Sequence, residues 1–465
     1  MSSQVWGEPW GLSHSPSTMA SSQSKWDQSL EWFLDTPKGR ASFLLIHFMI
    51  GVLGFKFKPI LFLHHALITL FGLRQIVLRR SHALWLLFVF SSFSVCEVLW
   101  RLYAPYFSDK QAHYIPIALG LVLLGRRRFV SSPIIPWIVL LLLTVSSLHI
   151  THSFVDIISP VLLRVYLLPY LTLAVTWGLM ACWEPCVHFW PRFLVLCTAG
   201  ALTVGAYAAS NFGFFGVHEL VSSKSSFLSI SAPNQVSAVL GFGGFCALLV
   251  PLILELTRVE IWMWFVTAGF LFERTVLTMS RGGLYSVAAA LIPVFFYVVF
   301  SGKKQHRRML TGWIVLGLLV ATISVLQGGS GVQDRWSNTN TTGRVDNFER
   351  ELHIAKNTWL TGAGLGGSWF MTVDMTSHTE VTRMLAEHGL FGAFALLLLV
   401  VSVWTRLRKS VGWLEITIRS SLFFWCFVTQ MHNSIRLSLI MIAFSFAMAK
   451  TFNTGPMPGS KALGS

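Results

Sequence analysis

Residues 282–300 read GGLYSVAAALIPVFFYVVF and contain no charged side chain. An unbroken apolar stretch of this length is typical of a helix that crosses about 30 Å of hydrocarbon. Similar runs lie on both sides, which gives about fourteen in all; three of them are short, so we expect about twelve to fourteen spans. The other runs are residues 41–55, 59–73, 83–103, 113–124, 133–150, 160–183, 191–210, 234–256, 259–279, 309–326, 389–405, 412–430 and 434–449.

Composition leads to the same fold class. The 465 residues are 54% hydrophobic and 12% charged, whereas a soluble protein is about 25% charged. Backbone groups in lipid must be paired inside a helix or a closed barrel, and barrel strands are shorter and alternate in polarity. The sequence therefore predicts an all-α polytopic membrane protein with about 12–14 transmembrane helices.

Basic residues predict the orientation of the chain. The net charge of +15 could point to nucleic acid, but the Lys and Arg residues concentrate in short loops, as membrane topology requires, so no nucleic-acid partner is expected. The clusters at 74–80, 126–128, 303–308 and 406–409 fall in alternate loops, which places them and both termini in the cytoplasm. Lys56 and Lys58 break this pattern.

This orientation divides the chain into five parts. We expect a polar cytoplasmic segment (1–40), a helix bundle (41–326), a large external loop (327–388), C-terminal spans (389–450) and a disordered tail (451–465) rich in Gly, Pro and Ser. Within the first part, WDQSLEWFL at 26–34 predicts a short interfacial helix. The external side also receives residues 211–233, 280–283 and 431–434.

The external loop has its own organisation. GGSG at 328–331 predicts a flexible exit from the membrane, and residues 343–359 have the apolar spacing of an amphipathic helix. GAGLGG at 362–367 formally contains GxGxxG. It follows a helix rather than a strand, so the pattern favours a glycine-rich turn over a dinucleotide site.

The segment SHTEVTRMLAEHGLFG at 377–392 is the sharpest local signal. Ser377 and Glu380 have capping-box spacing, which predicts a helix whose first residue is His378 and in which Gly389 either ends the helix or continues it into the next span. A helix N-terminus attracts anions and disfavours a protonated imidazole, so His378 would be able to accept a proton. A surface histidine that only caps the helix is the alternative.

Several cations accompany this histidine at the external side, and together they suit a diphosphate ligand, because Arg grips phosphate oxygens through two hydrogen bonds. Arg281, in MSRGG, either binds a ligand or extends its charge to the membrane surface. Arg344 begins the loop helix and needs an anionic partner, either a carboxylate or a phosphate. The remaining cations are Lys224, Arg164 and Arg436.

Acidic residues are scarce within the apolar runs. Glu97 is the clear example, and it serves either in proton transfer or as the partner of a neighbouring helix. The external side has no acidic pair that would hold a divalent metal, so we expect neither metal nor cofactor.

The order of these pieces resembles a known family. SAPN before a span, SRGG at a span end, GRVDNFERELHIAKNTWLTGAGLGG and SHTEVTRMLAEHGLFG follow one another as in the O-antigen ligase and polymerase superfamily of bacterial envelope glycosyltransferases. The resemblance covers roughly residue 224 to the last span. It implies a GT-C-like, metal-independent, inverting enzyme of the inner membrane that works at the periplasmic face.

The resemblance also implies substrates and residue roles. The donor would be a glycan on undecaprenyl diphosphate, and the acceptor either lipid A–core, in a ligase, or a lipid-linked repeat unit, in a polymerase. His378 corresponds to the catalytic histidine and Arg281 to a diphosphate-binding arginine. Lys224 stands where the family has Arg, and Thr379 stands where many ligases have Asn. Further diphosphate or secondary candidates are Arg344, Arg436, Arg164, Glu380 and Arg383.

Ligation to lipid A–core is the function we expect, and repeat-unit polymerisation is the alternative. A transporter of lipid-linked sugars would use the same external cations, but the chain shows no internal repeat of the kind that many transporters have. A non-catalytic scaffold, with the loop as a docking surface, is a further alternative. In each case the surrounding membrane lipids are partners of the chain.

Overall fold

The computed structural model describes residues 25–78, 82–101, 105–126, 133–145, 160–182, 188–212, 233–278, 280–301, 304–337, 344–364, 367, 379–432 and 437–450. Within these ranges the chain forms sixteen helices and no strand. The protein is an all-α polytopic membrane protein, as the composition predicts. The helices are α1 (Lys25–Asp35), α2 (Pro37–Lys56), α3 (Pro59–Leu78), α4 (His82–Trp100), α5 (Pro105–Arg126), α6 (Ile135–Val145), α7 (Pro160–Cys182), α8 (Phe189–Phe212), α9 (Pro233–Ile253), α10 (Arg258–Leu277), α11 (Arg281–Phe300), α12 (Lys304–Ser337), α13 (Arg344–Asn357), α14 (Glu380–Arg408), α15 (Trp413–Gln430) and α16 (Ser438–Ala447).

Every apolar run of the sequence overlaps one of these helices. In the described part of the chain, eight helices are long and apolar enough to cross a membrane, and four shorter apolar helices accompany them. The two helices that match no apolar run are α1 and α13, both of which the sequence predicts as amphipathic. The helical part of the expectation is therefore confirmed, and the number of twelve to fourteen crossings stays a prediction.

The centre of the bundle is formed by α8 and α9. In each of them, 94% of the most apolar 18-residue stretch is buried inside the protein. Small residues let the two helices approach closely, since a Cβ placed on Gly243 would collide with the Cβ of Ala201. Helices α2, α4, α10 and α11 pack around this pair. The ends of α4, α9 and α11 carry the first polar cluster considered below.

Helix α1 is attached to the bundle by its acidic residues. Arg192, at the start of α8, donates from Nε to Oδ1 of Asp35 over 2.9 Å. The indole of Trp85 donates to Oδ1 of Asp27 over 2.6 Å. The helix predicted for residues 26–34 is present, and Asp27 and Asp35 connect it to α4 and α8.

The flexible segment predicted at residues 328–331 is instead helical. Helix α12 continues from Lys304 through this glycine-rich segment to Ser337. A glycine within a helix costs about 1 kcal/mol, but extending an existing helix adds a hydrogen bond for each residue, whereas starting a new one is unfavourable. The glycines here therefore do not end the helix. The predicted tail at 451–465 lies outside the described residues.

Candidate functional site

The SRGG segment is held against the start of α9. Ser280 has extended backbone angles before the first residue of α11, which is Arg281. The hydroxyl of Ser280 donates to Oδ1 of Asn234 over 2.6 Å, and the hydroxyl of Ser237 donates to the carbonyl oxygen of Ser280 over 3.0 Å. Arg281 is partly buried. Its position is fixed because the side chain and the carbonyl oxygen of the preceding residue are both hydrogen-bonded to α9.

The two glycines after Arg281 permit this arrangement. A Cβ on Gly282 would lie 2.6 Å from Nδ1 of His432, and one on Gly283 would collide with the carbonyl oxygen of Ser237. Helices α9 and α15 therefore approach α11 at a distance that only glycine allows. Close packing explains the two glycines, and it fixes the position of Arg281, the residue before them.

Glu97 is part of an ion pair. It forms a salt bridge with Arg101 one helical turn later, and Nη1 of Arg101 donates to Oε1 of Gln235 over 2.8 Å. The other carboxylate oxygen of Glu97 accepts from the backbone nitrogen of Ser438, the first residue of α16, over 3.0 Å. Of the two alternatives for Glu97, partnership with neighbouring helices is the one found. The Arg four residues after Glu97 was a signal that the sequence reading overlooked.

These hydrogen bonds bring three helix N-termini to one end of the bundle. Helices α9, α11 and α16 all begin within the network that joins Glu97, Arg101, Gln235 and Ser280. The N-terminus of a helix carries a partial positive charge and exposed N–H groups. Together with Arg281, this end of the protein is suited to a negatively charged group.

A second polar cluster lies on the first part of α14. Glu380, Arg383 and Glu387 occupy one helix face, and Tyr170 of α7 faces them. The Arg383 guanidinium donates from Nη2 to Oε1 of Glu380 over 2.7 Å and to the Tyr170 hydroxyl over 3.3 Å, and its Nε lies 3.6 Å from Oε2 of Glu387. The Tyr170 hydroxyl also donates to Oε1 of Glu380 over 3.0 Å. We call these residues, with His388, the lid cluster.

The lid cluster is completely enclosed. Each of its residues is at most 1% exposed. Nε2 of His388 lies 3.4 Å from the Tyr170 hydroxyl and completes the set. The sequence reading named Glu380 and Arg383 as secondary candidates and missed Tyr170, Glu387 and His388. The spacing of Glu380, Arg383 and Glu387 predicts that they share one helix face. The residues next to Tyr170 in the sequence do not indicate its contact partners.

The start of α14 corrects the predicted capping box. Thr379, rather than Ser377, is the N-cap with extended backbone angles, and the helix begins at Glu380 rather than at His378. Glu380 turns inward to Tyr170 and Arg383 instead of capping the helix end. The hydroxyl of Thr379 donates to Oε2 of Glu351 over 2.8 Å, so α13 is fastened to α14 at this point. Separating a buried charge from its partners costs more free energy than a helix cap contributes.

The glycine-rich turn after α13 lies against α14 at the point where that helix is interrupted. Gly389 has φ 54° and ψ −131° inside the helix, and Gly362 has φ 73°. The nitrogens of Ala363 and Gly364 donate to the carbonyl oxygens of residues 386 and 387 over 2.8 and 3.0 Å, and Leu390 donates back to residue 359 over 2.8 Å. The turn thereby satisfies carbonyls left unpaired where the first part of α14 ends. Residues 362–364 of the motif thus follow a helix and are hydrogen-bonded to α14, as expected for a glycine-rich turn.

The remaining predicted site residues are distributed as follows. His378, Lys224 and Arg436 lie outside the described residues, and Arg164 and Arg344 lie on α7 and α13 with only their backbone described. Arg281 belongs to the SRGG network, whereas Glu380 and Arg383 belong to the lid cluster. The two clusters are on neighbouring elements, because α7 packs against α16. Within the described residues no group of His, Cys, Asp and Glu has the arrangement of a metal site.

The family comparison coincides with this part of the chain. Residues 266–397 match the family model described as O-antigen ligase. The chain carries an O-antigen ligase domain. The O-antigen ligase domain contains Arg281, His378 and most of the lid cluster, and excludes Lys224 and Tyr170. Its family comprises glycosyltransferase-like membrane enzymes whose substrates are lipid-linked glycans. The chain matches no curated protein.

The backbone crossing in the O-antigen ligase domain gives a stability prediction. A Cβ on Gly389 would lie 2.6 Å from the nitrogen of Gly362, while one on Gly412, which also has positive φ, would meet nothing within 4 Å. Both Ala variants strain the backbone, but only Gly389→Ala also separates the turn from α14. We expect Gly389→Ala to destabilise the detergent-solubilised protein by about 1–3 kcal/mol more than Gly412→Ala does. Equal thermal unfolding midpoints for the two variants would contradict the crossing.

Proposed function

We propose that this protein is a periplasmic-face, inverting glycosyltransferase that moves a glycan from undecaprenyl diphosphate to a sugar hydroxyl of lipid A–core. The observation that carries the proposal is the O-antigen ligase match at 266–397, which includes both Arg281 and His378. These are the two residues that the sequence assigns to leaving-group stabilisation and proton transfer. No metal enters the proposed reaction, because the charges it needs are supplied by side chains and helix ends.

In this mechanism His378 acts as the general base. It removes the proton from an acceptor sugar hydroxyl as the hydroxyl oxygen attacks the anomeric carbon of the donor. The new glycosidic bond forms while the bond from the anomeric carbon to the phosphate oxygen breaks, and undecaprenyl diphosphate leaves with the electron pair. A single displacement of this kind inverts the configuration at the anomeric carbon.

Arg281 would stabilise the negative charge that grows on the leaving diphosphate. Its place at the first residue of α11 combines a guanidinium with the partial positive charge of a helix N-terminus. The neighbouring starts of α9 and α16 have the same polarity. Lys224 and Arg344 are the proposed additional contacts to the diphosphate.

The lid cluster would hold the base in position. Thr379 and Glu380 follow His378 directly, and they are bound by Glu351 of α13 and Tyr170 of α7 respectively. Two separate helices thus restrict where the chain leaves residue 378. Positioning of this kind matters to rate, because a displacement of about 1 Å can reduce turnover about a hundredfold. We therefore assign Tyr170 and Arg383 as positioning residues.

The first test is glycan transfer by the purified protein with lipid-linked repeat units, with and without lipid A–core. We expect a glycan-capped lipid A–core when the acceptor is present, and His378→Ala to reduce the rate by at least about a hundredfold. Laddered glycan without lipid A–core would identify a polymerase instead.

The matched control for this test is His353→Ala, which removes an exposed histidine of α13 within the same domain. The control should retain activity. If a folded His378→Ala protein transfers glycan at the wild-type rate, the catalytic assignment is wrong.

The second test concerns Arg281 and the diphosphate. Because Lys keeps the charge but cannot form the two-pronged hydrogen bond of Arg, we expect Arg281→Ala to weaken binding of undecaprenyl diphosphate about a hundredfold and Arg281→Lys about tenfold. Binding is measured by microscale thermophoresis in detergent. Undiminished affinity in both variants would remove Arg281 from the diphosphate site.

The third test separates positioning from folding. Tyr170→Phe deletes one hydroxyl of the lid cluster, and we expect kcat to fall about ten- to a hundredfold while KM for the donor stays the same. Tyr285→Phe, on a side chain that is 51% exposed, serves as the control and should leave kcat unchanged. If KM rises and kcat is preserved, Tyr170 contributes to donor binding and our assignment fails.

A further inference from the structure

His432, two residues after the end of α15, is a buried histidine that the proposed reaction does not use. It is 4% exposed, and its backbone nitrogen donates to the carbonyl oxygen of Thr429 over 3.2 Å. It lies outside the matched domain at 266–397. Its side chain nevertheless lies against the first turn of α11, the helix that begins with Arg281.

The imidazole of His432 covers Gly282 with the face of its ring. A Cβ placed on Gly282 would lie 2.6, 2.7 and 2.8 Å from the ring atoms Nδ1, Cγ and Cδ2. Nearly equal distances to three adjacent ring atoms indicate contact with a ring face rather than with an edge. The ring thus occupies the space that a side chain at residue 282 would need, and the contact requires glycine at this position.

The same ring is hydrogen-bonded one turn further along α11. Nε2 of His432 lies 2.9 Å from Oγ of Ser286, and the Ser286 hydroxyl donates to the carbonyl oxygen of Gly282 over 3.1 Å. Because a hydroxyl has a single proton, the serine oxygen then accepts from Nε2–H of the histidine. The hydroxyl of Thr429 also donates to this oxygen, over 2.8 Å. Ser286 and Thr429 are completely buried, so water does not compete for these bonds.

These contacts determine the rotation of α11 about its own axis. Gly282 and Ser286 are four residues apart and share the helix face that meets His432, whereas Gly283 faces α9. Arg281 precedes Gly282 by about 100° around the helix. A helix with its side chains is about 10–12 Å in diameter, so a rotation of about 10° moves the tip of a side chain by about 1 Å. A small loss of contact on this face is therefore enough to misdirect the guanidinium.

We propose that His432 is a positioning residue that fixes the rotation of α11 and with it the direction of the Arg281 guanidinium. The inference rests on the proposed function for the role of Arg281 as a diphosphate ligand. The ring face of His432 contacts Gly282 and its Nε2 is bound to Ser286, so the histidine acts on the site through α11.

The effect is measured by binding of undecaprenyl diphosphate in detergent and by the rate of glycan transfer. We expect His432→Ala to weaken binding about tenfold and to lower kcat about tenfold, because a displaced guanidinium no longer forms both of its hydrogen bonds to phosphate. His432→Gln should stay within about threefold of wild type, since its amide Nε2–H can donate to Ser286. Equal losses in the two variants would contradict the role of this hydrogen bond and overturn the inference.

The matched control is a histidine at the opposite end of the same helix. His306 is 6% exposed, and its Nδ1 lies 2.9 Å from Oγ of Ser301, the residue that follows α11. His306→Ala thus removes a buried histidine–serine hydrogen bond without altering the first turn. It should change neither the diphosphate affinity nor kcat. A loss as large as that of His432→Ala would show that any loosening of α11 has this effect, and the positioning role would be wrong.

A double-mutant cycle tests whether His432 acts through Arg281. If it does, the two substitutions are not additive, and His432→Ala should have no further effect on binding in the Arg281→Ala protein. A further tenfold loss in that background would mean that His432 contacts the diphosphate itself, which contradicts positioning.

Hydrogen exchange of the ligand-free protein in nanodiscs separates this inference from the proposed function. We expect peptides that cover residues 281–290 to exchange about tenfold faster in His432→Ala, and at the wild-type rate in His432→Gln and His306→Ala. Unchanged exchange in His432→Ala would overturn the inference even if Arg281 binds the diphosphate. Faster exchange, together with undiminished diphosphate affinity in Arg281→Ala, would contradict the proposed function and leave the positioning of Arg281 by His432 standing.

Discussion

The guanidinium of Arg383 is excluded from water, and this constraint explains the arrangement of the lid cluster around it. Removing an ion from water costs several kcal/mol, which is recovered only when partners surround it. Glu380, Glu387 and Tyr170 are those partners, and they come from two helices distant in the sequence. Moving the first part of α14 away from α7 would take the Tyr170 hydroxyl from Glu380 and Arg383 and would open the buried charges of α14 to water. The polar segment after residue 378 is therefore fixed at its root, although it belongs to a long connection between spans.

The SRGG network obeys the same principle with different residues. Glu97 and Arg101 neutralise each other, and their remaining hydrogen bonds reach the starts of α9 and α16. Close contact of α9, α11 and α15 around the two glycines then sets the position of Arg281. Ion pairing and helix packing thus place Arg281 and three helix N-termini at one end of the bundle, next to an apolar groove between α9, α10, α11 and α12.

The fold was largely predictable because lipid imposes a simple pattern, and every apolar run corresponds to a helix. The site was predictable only in part. The local sequence identifies Arg281, Glu380 and Arg383 as candidate site residues. Tyr170, however, contacts a residue 210 positions away, and no local pattern predicts such a contact. The start of α14 was misplaced because the sequence assigned Glu380 to a cap, whereas burial beside Arg383 determines its direction. Residues 328–331 are helical rather than flexible because glycine weakens a helix without ending it.

The continuation of α12 to Ser337 gives the connection to α13 a defined angular phase. A helix advances about 1.5 Å and turns about 100° for each residue, so the point at which the chain leaves α12 depends on residue count as much as on sequence. Removing one residue between 327 and 337 would change the direction in which the chain departs toward α13, while removing a whole turn would restore that direction and lower its height. Length variation in this segment is therefore governed by helical periodicity, in contrast to the gradual tolerance of an irregular loop.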